Sequence, residues 1–276
     1  MVQLVQVPFA SPLRAAGRLA VYLTLTLALI PVQALALGLK LPLRTRLPRW
    51  YHRQCTRILG LELDVRGEIS TTHPTLFACN HVSYLDITVL ASLIEGSFVA
   101  KAEVADWPLF GWLAKLQRSV FVDRSSRRTA EHRDEMMSRL EAGDSLILFP
   151  EGTSSDGNRV LPFKSALFAV AERRPHGRPL TVQPVSLAYT RLDGVPMGRF
   201  LRPFVAWYGD MDLAPHIWTA AGLGRITVVV EFHRPVTIDD VGSRKALSEH
   251  CQAEVARGVA EALCGRPQPA PTRKAA

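Results

Sequence analysis

The segment CNHVSYLDI, residues 79–87, sets a histidine and an aspartate five residues apart, where the apolar run TLFAC gives way to ITVLASLI. A neutral imidazole can take a proton from an attacking hydroxyl and lower the barrier by a factor of about 10²–10⁴. A carboxylate on its other nitrogen fixes the tautomer and stabilises the cation that forms. On one continuous helix, five residues turn through about 500° and would send the two side chains to different faces. His81 and Asp86 can therefore meet only if His81 lies in the turn before a helix and Asp86 in its first turns. The same residues also read as a plain helix start, since Ser83 and Asp86 form a capping-box-like S-x-x-D.

A second stretch, LILFPEGTSSDGNRV (146–160), reads as a strand running into a turn shaped by Pro150 and Gly152. That layout places Glu151 where a strand's carboxyl end meets a cleft. Two more strand exits deliver cations: Lys101 follows SFVA, and Arg124 ends SVFVDR. Open α/β sheets hold ligands at the carboxyl ends of their strands. One such cation suits a solvated surface; three charged residues at comparable exits point to a site.

The elements that must position these residues follow from the apolar pattern. Strands are expected over 62–67, 75–80, 97–100, 118–122, 145–149, 181–188, 202–208 and 225–232. Helices are expected over 84–93, 108–116, 127–142, 163–173 and 243–263. Their alternation argues for an α/β fold with a mixed, largely covered β-sheet flanked by helices. Ahead of it, residues 19–39 carry no charge over 21 positions. As a helix they reach roughly 32 Å, the thickness of a bilayer's hydrocarbon core. Pro31 favours a kink or a break, so a re-entrant anchor competes with a full span.

Arg14 and Arg18 precede this run, and Lys40, Arg44, Arg46, Arg49 and Arg53 follow it. The heavier positive side predicts that the rest of the chain lies in the cytoplasm, and the expected location is the cytoplasmic face of a bacterial-type inner membrane. LPRWYHRQCTRILG (47–60) reads as an interfacial amphipathic helix or an ordinary surface helix. The expected domains are a membrane-anchoring segment over 1–60, a catalytic α/β domain over 61–264, and a proline-rich, basic, disordered tail over 265–276.

Composition narrows the classes further. Thirty-three Lys and Arg against 25 Asp and Glu give a net charge of +8, which suits nucleic acid, an anionic membrane or an anionic substrate. No helix-turn-helix, finger or aromatic RNA-binding strand is present, so nucleic acid is set aside. Four cysteines without paired spacing and eight scattered histidines give neither a disulfide framework nor a metal site. GDSL at 143–146 is shared with a serine hydrolase family, but the D-x-x-H partner is missing, since Asp212 and His216 have the wrong spacing. An inactive membrane scaffold would have no use for His81, Asp86 and Glu151.

Taken together, these motifs resemble the membrane-bound glycerolipid acyltransferases of the 1-acylglycerol-3-phosphate acyltransferase type, over about residues 60–235. NHxxxxD is matched by Asn80, His81 and Asp86; the end of GxxFIDR by Phe121 to Arg124; FPEGT by Phe149 to Thr153; and an apolar strand with a proline by VQPVSLAY, 182–189. The resemblance implies acyl transfer from acyl carrier protein or coenzyme A to a lysolipid hydroxyl, with no cofactor and no acyl-enzyme. His81 would be the general base and Asp86 its orienting partner. Arg124, Glu151, Gly152 and Thr153, with Lys101, would bind the acceptor head group. The aromatic WPLFGWL (107–113) would line an acyl tunnel, touch the membrane or simply pack in the core.

Two departures bear on the acceptor. Phosphatidate-forming relatives often carry arginine directly after FPEGT, where this chain has Ser154, and the motif-two glycine is Arg118. The cation could have moved, with Arg159 and Lys164 adding anion contacts, or the head group could differ. Lysophosphatidate is the first expectation and lyso-ornithine lipid, with its zwitterionic head, the alternative.

Overall fold

The computed structural model describes residues 9–107, 109–122 and 129–265. Two helices come first, α1 (Pro12–Gly38) and α2 (Leu43–Leu59). Ser11 caps α1 by accepting the Arg14 N–H, and Gly60 ends α2 at φ 73°, a left-handed geometry that glycine adopts freely. α1 runs through Pro31 without dividing. The proline forfeits one main-chain hydrogen bond, but Gln33, two residues on, donates to the carbonyls of Arg44 and Leu116 and holds the second half in place. Ala15, Thr26, Gln33 and Ala36 are buried on its inner side, whereas Leu13, Val21, Leu27, Leu35 and Leu39 are exposed. Among the described residues, α1 is the one helix long and apolar enough to cross a membrane.

The remaining elements, in chain order, are β1 (Leu61–Gly67), β2 (Thr75–Cys79), α3 (Leu85–Leu93), β3 (Ser97–Lys101), α4 (Phe110–Leu116), β4 (Val120–Val122), α5 (Thr129–Glu141), β5 (Leu146–Leu148), β6 (Thr181–Leu192), β7 (Val195–Pro196), α6 (Leu213–Gly222), β8 (Ile226–Phe232), α7 (Ile238–Val241) and α8 (Arg244–Leu263). The strands form one eight-stranded sheet in the order β1-β8-β6-β2-β5-β3-β4, with β7 hairpinned onto β6. β6 and β8 run antiparallel, while β6, β2, β5, β3 and β4 run parallel in turn. The fold is therefore the expected mixed α/β sheet.

Its central strands are covered on both faces, as a parallel arrangement requires. On β2, Phe77 and Cys79 join α3's Val89 and Leu90 in one core. Leu76 and Ala78 join Leu247, Cys251 and Val255 of α8 in the other. Successive strand residues point to opposite faces, so one short apolar strand feeds both cores.

Two expected elements differ. Residues 202–208 are not a strand: Arg202–Phe204 form a 3₁₀ turn, and the Arg202 carbonyl accepts the N–H groups of Val205 and Ala206. Pro203 has no N–H to give a ladder, and Trp207 donates instead to the Val82 carbonyl at 2.9 Å, in the turn after β2. Residues 165–172 wind as a 3₁₀ helix inside the expected helical span.

α8 reaches the sheet through Gly258. A Cβ there would lie 2.3 Å from Ser186 Oγ and 2.8 Å from His233 Nε2. Ser186, His233 and Glu231 are aligned like a hydrolytic triad, with 3.1 Å between Ser186 Oγ and His233 Nε2. Gly258 closes that spot, leaving no room for a substrate. Gly258→Ala is expected to destabilise the fold by about 1–3 kcal/mol, the usual cost of overpacking, read as a lower urea-unfolding midpoint.

Candidate active site

β2 ends at Cys79 and the chain turns through Asn80–Tyr84 before α3 begins. Asn80 anchors the turn to β6: its Nδ2 donates to the Leu187 carbonyl at 2.9 Å and its Oδ1 accepts the Leu187 N–H at 2.8 Å. His81 lies in the turn and Asp86 in the first turn of α3, the layout their spacing demanded. His81 Nδ1 and Asp86 Oδ2 are 2.8 Å apart.

Asp86 is wholly buried and fully occupied. Oδ2 also accepts the Val82 and Ser83 N–H groups at 2.6 and 2.9 Å, and Oδ1 accepts the Tyr189 hydroxyl at 2.8 Å. With the carboxylate accepting, His81 Nδ1 carries the proton, which leaves Nε2 with its lone pair. The ring stacks on Phe149 at 4.1 Å and 18°. Tyr189 was visible in the sequence only as the end of an apolar strand; its hydroxyl emerges as an Asp86 partner because β6 neighbours β2.

Glu151 faces inward. Oε1 accepts the His81 N–H at 2.8 Å and Oε2 accepts the Leu161 N–H at 2.9 Å, with the residue 2% exposed. Burial pushes its carboxyl up to about 7, against the opposing pull of these two N–H donors. Gly152 turns the chain at φ 69°, and Ser155 N–H donates to the His81 carbonyl at 2.9 Å. The FPEGT loop is thus stitched directly to the histidine turn.

His81 opens onto a cavity of about 550 Å³. Lys101, Phe149, Gly152, Thr153 and Ser154 line it near the strand ends. Its apolar walls include Leu19, Tyr22 and Leu29 of α1, Leu47 and Tyr51 of α2, and Phe110 and Leu113 of α4. Trp107, Phe110 and Leu113 of the aromatic segment are therefore cavity lining, while Trp112 is 69% exposed. α1 and α2 form part of the site's wall. At the inner end, His52 Nε2 donates to Gln117 Oε1 at 3.2 Å, and burial lowers its pKa to about 4.

The other expected contacts divide. Arg124, with Asp123, lies outside the described residues. Ser154 donates its hydroxyl to the Trp207 carbonyl. Arg159 and Lys164 are exposed beyond it. Arg118 does not replace the missing cation here, because it pairs with Asp144 before β5, at the opposite end of the sheet.

Comparison with known proteins fits this geometry. A family model described as Acyltransferase matches residues 62–188. A lyso-ornithine lipid O-acyltransferase of Brucella abortus is 44% identical over 91% of this chain and 95% of its own length. One from Rhizobium meliloti is 42% identical over 91% and 89%. A 1-acyl-sn-glycerol-3-phosphate acyltransferase of Neisseria gonorrhoeae is 32% identical over 74% and 76%. The crystal structure of the 1-acyl-sn-glycerophosphate acyltransferase of Thermotoga maritima shares the fold, with a TM-score of 0.59 at 22% identity, covering 90% of this chain and 95% of that one.

Glu151→Gln separates the carboxylate's roles. Glutamine offers one acceptor where two backbone N–H groups need one each, so one is left buried and unpaired, at a cost of about 1–3 kcal/mol. A folded-state pKa raised to about 7 means that the native protein holds the proton longer than the unfolded chain. Stability therefore falls as pH rises from the ordinary carboxyl range, about 4.3, toward 7. In Glu151→Gln, unfolding followed across that pH range should lose this downward component.

Proposed function

The chain belongs to the acyltransferase family, and from that premise we propose that it moves a fatty acyl group from an acyl thioester to the free hydroxyl of lyso-ornithine lipid. The observation that carries the reaction is the His81–Asp86 pair, with Nδ1 held and Nε2 left for the cavity. Nε2 takes the proton of the acceptor hydroxyl as that oxygen bonds to the thioester carbonyl. Collapse of the tetrahedral adduct breaks the C–S bond, and the leaving thiolate takes the proton back from the imidazolium. Asp86 steadies the cation between these steps. Attack is direct. Cys79, the thiol nearest in sequence, is fully buried, and burial raises its pKa well above the ordinary range.

Two observations favour the ornithine acceptor over lysophosphatidate, reversing the order that the sequence suggested. Relatives at 44%, 42%, 38% and 35% identity over 76–91% of the chain carry the lyso-ornithine lipid name, against 32% over 74% of it for two lysophosphatidate enzymes, while a third, at 36%, is matched over 41% alone. In addition, the position after FPEGT offers a serine hydroxyl engaged with a main-chain carbonyl instead of a cation. Lys101, at the end of β3, is assigned to the head group's carboxylate, and so is Arg124 on its sequence motif. Gly152 and Thr153 shape the entrance. Glu151 acts as a positioning residue for the His81 turn.

The acyl chain lies in the apolar cavity beneath α1 and α2, and the outward leucines of α1 lie in the membrane. The catalytic end faces the cytoplasm, where acyl carrier protein and coenzyme A thioesters are available.

In membranes supplied with labelled acyl donor, lyso-ornithine lipid should be diacylated faster than lysophosphatidate. His81→Ala should lower turnover by about 10²–10⁴-fold with membrane association unchanged. Near-normal turnover in that variant contradicts the base assignment. Leu113→Trp, which fills part of the cavity, should shift acyl preference toward shorter chains, as measured by competition between donors of two lengths.

A further inference from the structure

We propose that the acyl donor carries a hydroxyl group far along its chain, which donates its hydrogen to His52 at the inner end of the cavity. This rests on the acyl-transfer reading above and names the class of donor that the cavity fits. The cavity runs from His81 to a floor that includes Gln33, His52, Gln117 and Ser119. Register sets its depth. Val99 of β3 is level with Val120 of β4, and the neighbouring Phe98 is level with Ile147 and so with Phe77. Gln117, just ahead of β4, is therefore about four residues, or roughly 13 Å, from His81 along the strands.

That floor is not built for a plain hydrocarbon. On α1, Tyr22, Thr26 and Gln33 follow one another at four and seven residues, which puts them on one helix face, and all three line the cavity. Val21, Leu27 and Leu35 of the same helix are exposed. Polar side chains on a helix able to cross a membrane are costly, and where they face the interior they mark a substrate path. Thr26 spends its hydroxyl on Tyr51, at 2.8 Å. Gln33 and His52, only 6% and 8% exposed, are each left with an unmet acceptor.

The hydrogen-bond roles at both residues are fixed. Gln33 Nε2 donates to the Leu116 carbonyl at 2.9 Å and to the Arg44 carbonyl at 3.0 Å. The Arg44 carbonyl has no helical N–H to accept, because Pro48 stands four residues on. Both amide hydrogens are spent, so the Gln33 oxygen is the atom left buried without a donor. His52 donates from Nε2 to Gln117, and burial lowers its pKa to about 4, so the ring is neutral at neutral pH. Its Nδ1 then holds a lone pair, buried and without a partner. Holding the helices together accounts for the donated hydrogens and for neither acceptor. Buried acceptors are nearly always met, and a methylene chain has no donor to give. A hydroxyl has one, and His52 is assigned it; the Gln33 oxygen makes the same floor polar on the α1 side. The depth suits a hydroxyl on the distal half of a long chain, not one beside the thioester.

The test compares stearoyl, 2-hydroxystearoyl and 12-hydroxystearoyl thioesters, on coenzyme A and on acyl carrier protein, with the full chain in membranes and lyso-ornithine lipid as acceptor. In the unaltered protein, kcat/KM for the 12-hydroxy donor should exceed that for stearoyl by about fivefold or more, the scale of one hydrogen bond gained in a dry site, and the 2-hydroxy donor should show no such gain. In His52→Phe the ratio of 12-hydroxystearoyl to stearoyl should fall to about one; because both donors meet the same preparation, partial unfolding cancels from the ratio. Equal use of stearoyl and 12-hydroxystearoyl by the unaltered protein would overturn the inference, with water then meeting the two acceptors, and would leave acyl transfer itself standing. A preference that survives in His52→Phe would overturn the assignment to His52. Should that variant fail to fold, the dependence on hydroxyl position in the unaltered protein decides. Transfer from none of the donors would overturn the acyl-transfer reading and this inference with it.

Discussion

A carboxylate sealed from water is the constraint on which the rest of the structure depends. Leaving a buried charge without partners costs several kcal/mol, so Asp86 obliges the fold to bring donors to it. Four do so: the His81 imidazole, the Val82 and Ser83 amides and the Tyr189 hydroxyl. Three come from the turn in which Asp86 is rooted, and one comes from β6. The helix start, the turn and the neighbouring strand are therefore fixed by one residue. With Glu151 taking the His81 N–H, three consecutive main-chain amides, 81 to 83, are held by two carboxylates. Most of the charge in these motifs builds the platform that holds the His81 imidazole.

This arrangement explains the form of the surrounding chain. The FPEGT loop returns to the histidine turn through Glu151 and Ser155, and segment 205–208 returns through Trp207. Each contact uses a main-chain group of the turn, so the turn is braced on several sides while its histidine side chain stays clear. α1 and α2 complete the opposite wall. Thr26 and Tyr51 join the two helices at 2.8 Å, and Gln33 ties α1 to the end of α4. α1, the one described helix long and apolar enough to cross a membrane, is thus also part of the cavity wall.

Much of this was legible in residue order because it rests on local geometry. A five-residue gap between His81 and Asp86 has few ways to close, and a proline and a glycine around Glu151 announce a turn. The alternation of apolar runs gave the sheet, and the uncharged run gave α1. What was not legible depends on which strands are neighbours. Tyr189 reaches Asp86 only because β6 lies against β2, a pairing of segments over a hundred residues apart. Arg118 looked like a displaced head-group cation until the register put it at the far end of the sheet. Segment 202–208 has the apolar content of a strand, but Pro203 and the bond from Trp207 to the turn redirect it. Glu151 looked like a ligand group from its position, yet both its oxygens are turned to the main chain.

The central claim is that Asp86 holds His81 with its proton on Nδ1 and its lone pair on Nε2. Nitrogen-15 NMR of histidine-labelled protein at alkaline pH tests it directly. The account predicts one imidazole, assigned by its absence in His81→Ala, with a protonated Nδ1 and an unprotonated Nε2, and loss of that preference in Asp86→Ala. A His81 ring carrying its proton on Nε2 in the unaltered protein would contradict it.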